Sequence, residues 1–509
     1  MAEKRIAIVG AGMGSLAAAI RLAVMGFEVE VFEKNDQTGG RMGKLEAEGF
    51  TFDTGPSLLL MTDTYRNLFK FAGRNLADYV NLIPLDSDYR VTFGDGDSLT
   101  IRRTLPELIK ELERIEPGVT SNFYRFLEDA CHKYRLGRSE FVERDFDKAG
   151  DFFGLRNLRL LAKTKAVNNY YRSVSKFFKT DKLRQAFSLQ TMYLGLSPFR
   201  APAVYSLLPY TELAEDGLWF PEGGMYSLVE AMEKLAKDLG VKFHLNSPVE
   251  EVMVTKGQTR GVKVNGEEHG SDAVLVGADL PYAYRSLLPE SADEDFKGRR
   301  KRKNLEYTAS AFMLYLGIDH ELKNMLHHNF YLSPEYKENF EAIFRDRRLP
   351  DDPSFYAVVP SRTERRMAPE GMDALFVLVP VPHLGPNVDW ERDGPAFKEK
   401  VYGMLEERCG IENIRDHIVY EKVRTPEDWR DDYNLEEGAA FGIGHGIFQV
   451  GYFRPPMVSP NIENLYFVGA STRPGTGVPL VTIGAKLVAE RIEREVGAET
   501  GAGTGVEAK

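Results

Sequence analysis

Cysteine is nearly absent: Cys131 and Cys409 are the two in 509 residues. They lie far apart and outside any C-x-x-C spacing, which excludes a disulfide scaffold and a cysteine-based zinc site. Two small packed thiols in a reducing compartment are the expectation. Long apolar runs are missing too. The longest, at 273–278 and 374–382, are of strand length, far short of the roughly 20 residues that span a bilayer. An apolar strand pattern that starts at Arg5 leaves no room for a secretion signal, so a cytoplasmic location is expected. Positive charge is in deficit, with 65 Lys and Arg against 76 Asp and Glu and a net charge of −11, which disfavours nucleic acid as a partner. Neither G-x-S-x-G nor H-E-x-x-H occurs. His327, His328, His383 and His417 show no metal-ligand spacing, so no metal site is expected and hydrolase chemistry has no anchor.

The rest of the composition is that of a folded globular chain, 43% hydrophobic and 28% charged, and it is too long for one ordinary core. The organising stretch is residues 4–42. Ile6, Ala7, Ile8 and Val9 read as a buried parallel strand, followed at once by Gly10, Gly12 and Gly14 in G-x-G-x-x-G spacing and by an apolar helix. The first glycine permits a tight turn, the second admits a pyrophosphate to the backbone, and the third lets helix pack on strand. A second strand over 28–32 delivers Glu33, about 20 residues past the glycines, where a carboxylate binds a ribose hydroxyl. Gly39, Gly40 and Arg41 follow. Two more small residues admit the pyrophosphate from its other side, and the planar guanidinium neutralises it.

The C-terminal region carries a second signal. Residues 464–468 (NLYFV) read as a buried strand, 469–472 as a small-residue turn, and RPGTGVP at 473–479 leads into a helix over 480–491. A glycine-rich loop at a helix start presents N–H donors and a positive dipole to an anion. Between the ends, 106–210 lacks strand alternation and reads as a helical insert. Its Phe187, Met192, Tyr193, Phe199, Tyr205 and Tyr210 either line an apolar cavity or are ordinary core. Residues 154–184 hold nine basic residues against one acid, interleaved with large apolar ones, and KGRRKRK at 297–303 is a second basic cluster. Such stretches suit either an anionic membrane surface or a solvated helix face.

The GGR segment resembles the long dinucleotide motif of FAD-dependent amine oxidases and carotenoid desaturases. NLYFVGASTRPGTGVP is similar to the C-terminal signature of the bacterial and fungal phytoene desaturase family. The likeness extends to LRQAFS at 183–188, SPF at 197–199, WFPEGGM at 219–225, and the pattern of Phe441, Gln449, Arg454 and Pro455. Two positions depart: many relatives carry a basic residue at Glu222 and a His at Arg473.

The resemblance implies an α/β fold, FAD-binding and Rossmann-like of the amine oxidase and carotenoid desaturase type, with a sheet-based substrate domain and a helical insert. It divides the chain into FAD-binding segments at 1–105, 211–300 and 441–496, a helical substrate- and membrane-facing insert at 106–210, a substrate domain at 301–440 and a disordered tail at 497–509. The implied cofactor is FAD. Its expected contacts are Gly10, Gly12, Gly14, Glu33, Gly39, Gly40 and Arg41, then Gly55, Pro56 and Ser57 in a segment that returns to the flavin, with Asp53 to Ser57 as an edge of the flavin pocket. Val249 is expected against the adenine, and Gly469, Ala470, Gly475, Thr476, Gly477, Val478 and Pro479 near pyrophosphate and ring. The implied reaction extends conjugation in an apolar polyene by hydride transfer from allylic carbon to flavin, at a peripheral membrane site, with oxygen or a quinone as final acceptor. A polyene has almost no polar handle, so no acid–base constellation stands out in the sequence. Another carotenoid, an amine, or a lipid-carrier role remain as alternatives.

Overall fold

The computed structural model describes residues 4–146, 149–164, 168–292 and 305–497. A five-stranded parallel sheet runs in the order Leu465–Phe467, Ala273–Val276, Arg5–Val9, Glu28–Phe32 and Lys242–His244. Ala273–Val276 is buried throughout and Arg5–Val9 all but its first residue, as strands covered on both faces must be. Helices Met13–Val24, Tyr226–Asp238 and Val478–Val496 pack together on one face. Ala17, Ala18 and Ala19 are wholly buried, and their small size lets the helices approach closely. The antiparallel strands Val249–Thr255, Gln258–Val264 and Glu267–Gly270 cover the other face through Val252 and Val262, which share a core with Val9 and Val274. Three distant stretches thus supply one sheet and bring the chain ends together.

The second sheet has seven strands, in the order Ile418–Arg424, Ser310–Ile318, Asp373–Val381, Phe355–Val358, His328–Tyr331, Ser87–Thr92 and Ser98–Arg102. All its pairs are antiparallel except His328–Tyr331 with Ser87–Thr92. Helix Trp390–Cys409 seals one face, with Trp390 stacked on Phe312 at 5.7 Å. Ser87–Thr92 and Ser98–Arg102 fall within 1–105 yet pair into this sheet rather than the nucleotide sheet. Among the described residues, 106–210 is helical and strand-free. The 297–303 basic cluster and the tail from 498 lie outside the described residues. Cys409 is buried and Cys131 half-buried, and both are free thiols.

Asp53 was expected, with its neighbours to Ser57, at the edge of the flavin pocket. It turns instead to the start of helix Tyr226–Asp238, accepting from the backbone N–H of Met225 at 2.8 Å and of Tyr226 at 2.9 Å. Burial raises its pKa from 3.8 to about 6, against the pull of those two N–H donors. The folded state therefore takes up this proton more readily than the unfolded chain. The stability linked to it is fully present below pH 3.8 and lost as pH rises to about 6. Asp53→Asn removes that segment of the melting-temperature profile. Asp53→Ala leaves two buried donors unpaired and lowers stability by about 2 kcal/mol at neutral pH, seen as a lower thermal midpoint.

Candidate active site

The three N-terminal glycines occupy three different physical situations. Gly10 has φ +85°, a conformation that a side chain strains. A Cβ on Gly14 would meet Val468 Cγ2 at 3.1 Å, so the third position is about packing. Gly12 has φ −68°, ordinary for any residue, and a Cβ there would have nothing within 4 Å. It faces the open space of a cavity that it lines. Helix Met13–Val24 starts with no side-chain cap and no acid in its first turn, and the same holds for Val478–Val496. Both helix starts line one cavity of about 760 Å³, where their unpaired N–H groups and positive dipole ends favour a pyrophosphate. The residues present fit a dinucleotide.

Of the expected cofactor contacts, all but Gly39 and Gly475 line this cavity. Gly39 lies behind it, donating its N–H to Ala11 O at 2.8 Å. Gly475, at φ +146°, sits against His445. Glu33 is buried with Oε2 accepting from the Ala11 N–H at 2.6 Å and Oε1 from Asn35 N–H at 3.0 Å, which fixes the carboxylate beside the glycine loop. Arg41 is half-buried and donates from Nη1 to Ala440 O at 3.0 Å. Burial lowers its pKa and Asp279 opposes that. Met192, Tyr193 and Tyr205 line the cavity, whereas Phe187, Phe199 and Tyr210 do not. Phe187 packs instead with Phe123, Phe126 and Phe178.

Four groups at the site carried no expected role. Asp279 is buried, accepts from Ser471 Oγ at 2.6 Å and has its pKa raised by burial. It stands three residues past strand Ala273–Val276, at the carboxyl end of a parallel strand where ligands collect; that rule was a usable signal. His445 is buried, and its Nε2 accepts from Thr476 N–H at 3.1 Å. Burial holds its pKa well below 6.5, with the Arg454 charge adding to the effect. Thr476 N–H is thus taken by the protein itself. Arg454 is wholly buried, and burial lowers its pKa to about 10. Its donors reach Thr472 O at 2.8 Å, Gly444 O and Gln449 O at 3.1 Å, Ile443 O at 3.2 Å, and Ala470 O. The Tyr356 hydroxyl lies 3.0 Å from Ser57 Oγ and 2.7 Å from His328 Nδ1.

The two departures separate. Glu222 is a surface residue, bonded to Asn81 and paired with Arg366. Arg473 is buried at the cavity wall, pairs with Asp145 at 3.2 Å and donates to Tyr452 O at 3.0 Å.

Away from the nucleotide end the lining is mostly apolar and includes Leu136, Phe141, Leu208, Phe330 and Phe340, with Lys133, Arg144 and Asn339 among its polar members. One cavity therefore joins a phosphate cradle to a hydrocarbon slot. Residues 16–493 match the family of flavin containing amine oxidoreductases. The chain belongs to this family. The flavoenzyme is 44% identical over 491 residues to a zeta-carotene-forming phytoene desaturase of Myxococcus xanthus, covering 96% of this chain and 94% of that one. It is 38% identical over 499 residues to a 4,4'-diapophytoene desaturase (4,4'-diaponeurosporene-forming) of Staphylococcus aureus, covering 97% and 99%. It thus falls in the carotenoid desaturase branch and is FAD-dependent. Among solved structures, an oxidoreductase from Methanosarcina mazei matches with TM-score 0.62 at 17% identity, over 96% of this chain and 100% of that one. Putrescine oxidase matches with TM-score 0.62 at 13%, over 97% and 99%. These two establish the fold shared with the flavoenzyme.

Proposed function

We propose that the enzyme inserts conjugated double bonds into a linear carotenoid precursor, phytoene or its shorter diapo counterpart. The observation that carries this reading is the single cavity with a dinucleotide cradle at one end and an apolar slot leading away from it. Bound FAD supplies the hydride acceptor. Gly10, Gly12, Gly14 and Gly40 give the pyrophosphate its room, and the starts of the two uncapped helices give it N–H donors. Glu33 accepts from a ribose hydroxyl, Val249 flanks the adenine, and Gly55 to Ser57 with Gly469 to Pro479 close around the ring. The apolar wall holds the polyene by excluding water. Incubating purified enzyme with FAD and liposomes carrying phytoene or diapophytoene, under oxygen and under a quinone, gives coloured polyenes with one of the two. No pigment from either substrate under either acceptor ends this reading.

The slot reaches the surface at an apolar patch. Phe153, Leu155, Ile447 and Phe448 are exposed, Leu155 by 75% and Phe448 by 77%. Phe153 and Ile447 also line the cavity, and both Phe153 and Phe448 touch the ring of Phe453. No described helix is long and apolar enough to cross a membrane. Of the basic residues in 154–184, Lys182 is tied to Asp95 and Asp97, Arg156 to Glu140 and Arg184 to Asp181. A surface contact through this patch inserts apolar side chains, and it delivers substrate from the lipid into the slot. Leu155→Asp with Phe448→Asp weakens sedimentation with neutral liposomes by about 10²-fold, from roughly 1.5 kcal/mol per side chain. Unchanged sedimentation removes the patch as the docking surface.

A further inference from the structure

Resting on the desaturase reading above, we infer that Tyr356, backed by Ser57 and His328, is the group that takes the proton lost from the polyene in each desaturation. Ser57 and Tyr356 both line the cavity that holds the reacting carbons. From there the chain of contacts runs inward: Ser57 Oγ to Tyr356 Oη at 3.0 Å, and Tyr356 Oη to His328 Nδ1 at 2.7 Å. The His327 ring follows with its centroid 4.2 Å from that of His328. His327 Nδ1 meets Thr363 Oγ1 at 2.7 Å, and Thr363 is half-buried. Polar groups are therefore strung from a mostly apolar slot toward the surface. Ser57, Tyr356 and both histidines are nine-tenths or more buried. The Nε2 atoms of His327 and His328 have no hydrogen-bond partner among the protein atoms. Two adjacent imidazoles with unpaired buried nitrogens are a costly arrangement for a structural core and a useful one for passing a proton.

The chemistry balances. Each desaturation removes a hydride and a proton from neighbouring carbons. The hydride carries its two electrons to the flavin and leaves an allylic cation. The adjacent C–H bond then breaks, and its electron pair forms the new C=C bond. Its proton passes to Tyr356 Oη as the hydroxyl proton of Tyr356 passes to His328 Nδ1, leaving tyrosine neutral and His328 as imidazolium. Tyr356 holds no charge at either end of the transfer: a protonated phenol is far too acidic to persist, and burial, opposed by the Ser57 hydrogen bond and reinforced by the negative Glu212, raises the phenol pKa and disfavours the phenolate. His328 starts neutral, its pKa lowered well below 6.5 by burial and then by His327, and burial pushes His327 down to about 3. A base this weak is sufficient, since a C–H bond next to an allylic cation is far more acidic than an imidazolium. It also surrenders the proton readily once the cation is gone.

Two measurements test the relay. In phytoene assays with liposomes and FAD, Tyr356→Phe lowers product formation by about 10²-fold, the smaller end of the range for a lost general base, while FAD content per chain stays at the wild-type level. Phytoene deuterated at the proton-losing carbon then shows a larger isotope effect in the variant than in wild type. A wild-type rate in Tyr356→Phe overturns the relay, as does a slower rate with an unchanged isotope effect, which marks a merely structural role. If wild type desaturates no polyene, it is the parent reading that fails. The second measurement needs neither flavin nor substrate. Nitrogen NMR of histidine-labelled, flavin-free protein finds His328 Nδ1 unprotonated and accepting a hydrogen bond, and His328→Gln assigns the signal. Tyr356→Phe shifts it. A protonated Nδ1 has no lone pair to offer and overturns the relay.

Discussion

Gly12→Val yields a folded protein that binds FAD about 10²-fold more weakly. The expectation follows from a contrast among the three glycines of the first loop. Gly10 at φ +85° and Gly14 against Val468 cannot take a side chain without strain or collision, so their variants confound folding with binding. Gly12 has ordinary backbone angles and empty space where a side chain would go, so the apo fold tolerates valine. The branched methyls then fill the gap through which the pyrophosphate reaches the N–H groups of the helix start. Two charge-assisted hydrogen bonds lost at about 1.5 kcal/mol each amount to roughly 10²-fold in affinity. Fluorescence titration of flavin-free protein with FAD reads the affinity, and the thermal midpoint without FAD, unchanged in the variant, reads the fold. Wild-type affinity in Gly12→Val means that the nucleotide does not lie across this loop. Gly477→Val serves as the partner experiment at the other chain end. At φ +114° the substitution is strained, and both affinity and midpoint fall.

This contrast also marks what a linear sequence can disclose. What crowds Gly14 is Val468 and Val481 from the other end of the chain, and no local pattern names them. The turn at Gly10 was legible because it is set within one βα unit. Helix and strand periods located Ala273–Val276 and the helical character of 106–210 for the same reason. Residues 87–102 were placed with the FAD-binding segment 1–105, yet strand Ser87–Thr92 pairs with His328–Tyr331, more than two hundred residues on. Nothing in its alternation names that partner. Asp53, read as pocket edge, was claimed by two backbone N–H groups at a distant helix start. The Ser57, Tyr356 and His328 contacts join one loop and two paired strands by geometry alone. His327 and His328 side by side read as an unremarkable pair until the sheet buried them.

Arg454 shows the same limit with a larger consequence. In sequence it was one letter of a resemblance, and in the fold it is a wholly buried cation whose donors reach five backbone carbonyls on two loops. Residues 443–449, with His445 and Gln449, are thereby fastened to the turn at 470–472 that opens the C-terminal flavin loop. His445 then holds Thr476 N–H, so the shape of that loop depends on the guanidinium two contacts away. Arg454→Met keeps the length and removes every donor. Carbonyls left without a partner in a dry site make the loss about 4 kcal/mol, comparable to breaking a buried ion pair. Arg454→Lys recovers little, since three donors on a compact ammonium cannot span acceptors set for a planar fork. The change is local in origin. Hydrogen exchange in Arg454→Met quickens first over 443–449 and 470–476, and FAD affinity falls, while strands such as Ser310–Ile318 keep their protection. If exchange at those loops stays slow in Arg454→Met, the carbonyl cage is not what holds the C-terminal loop in place.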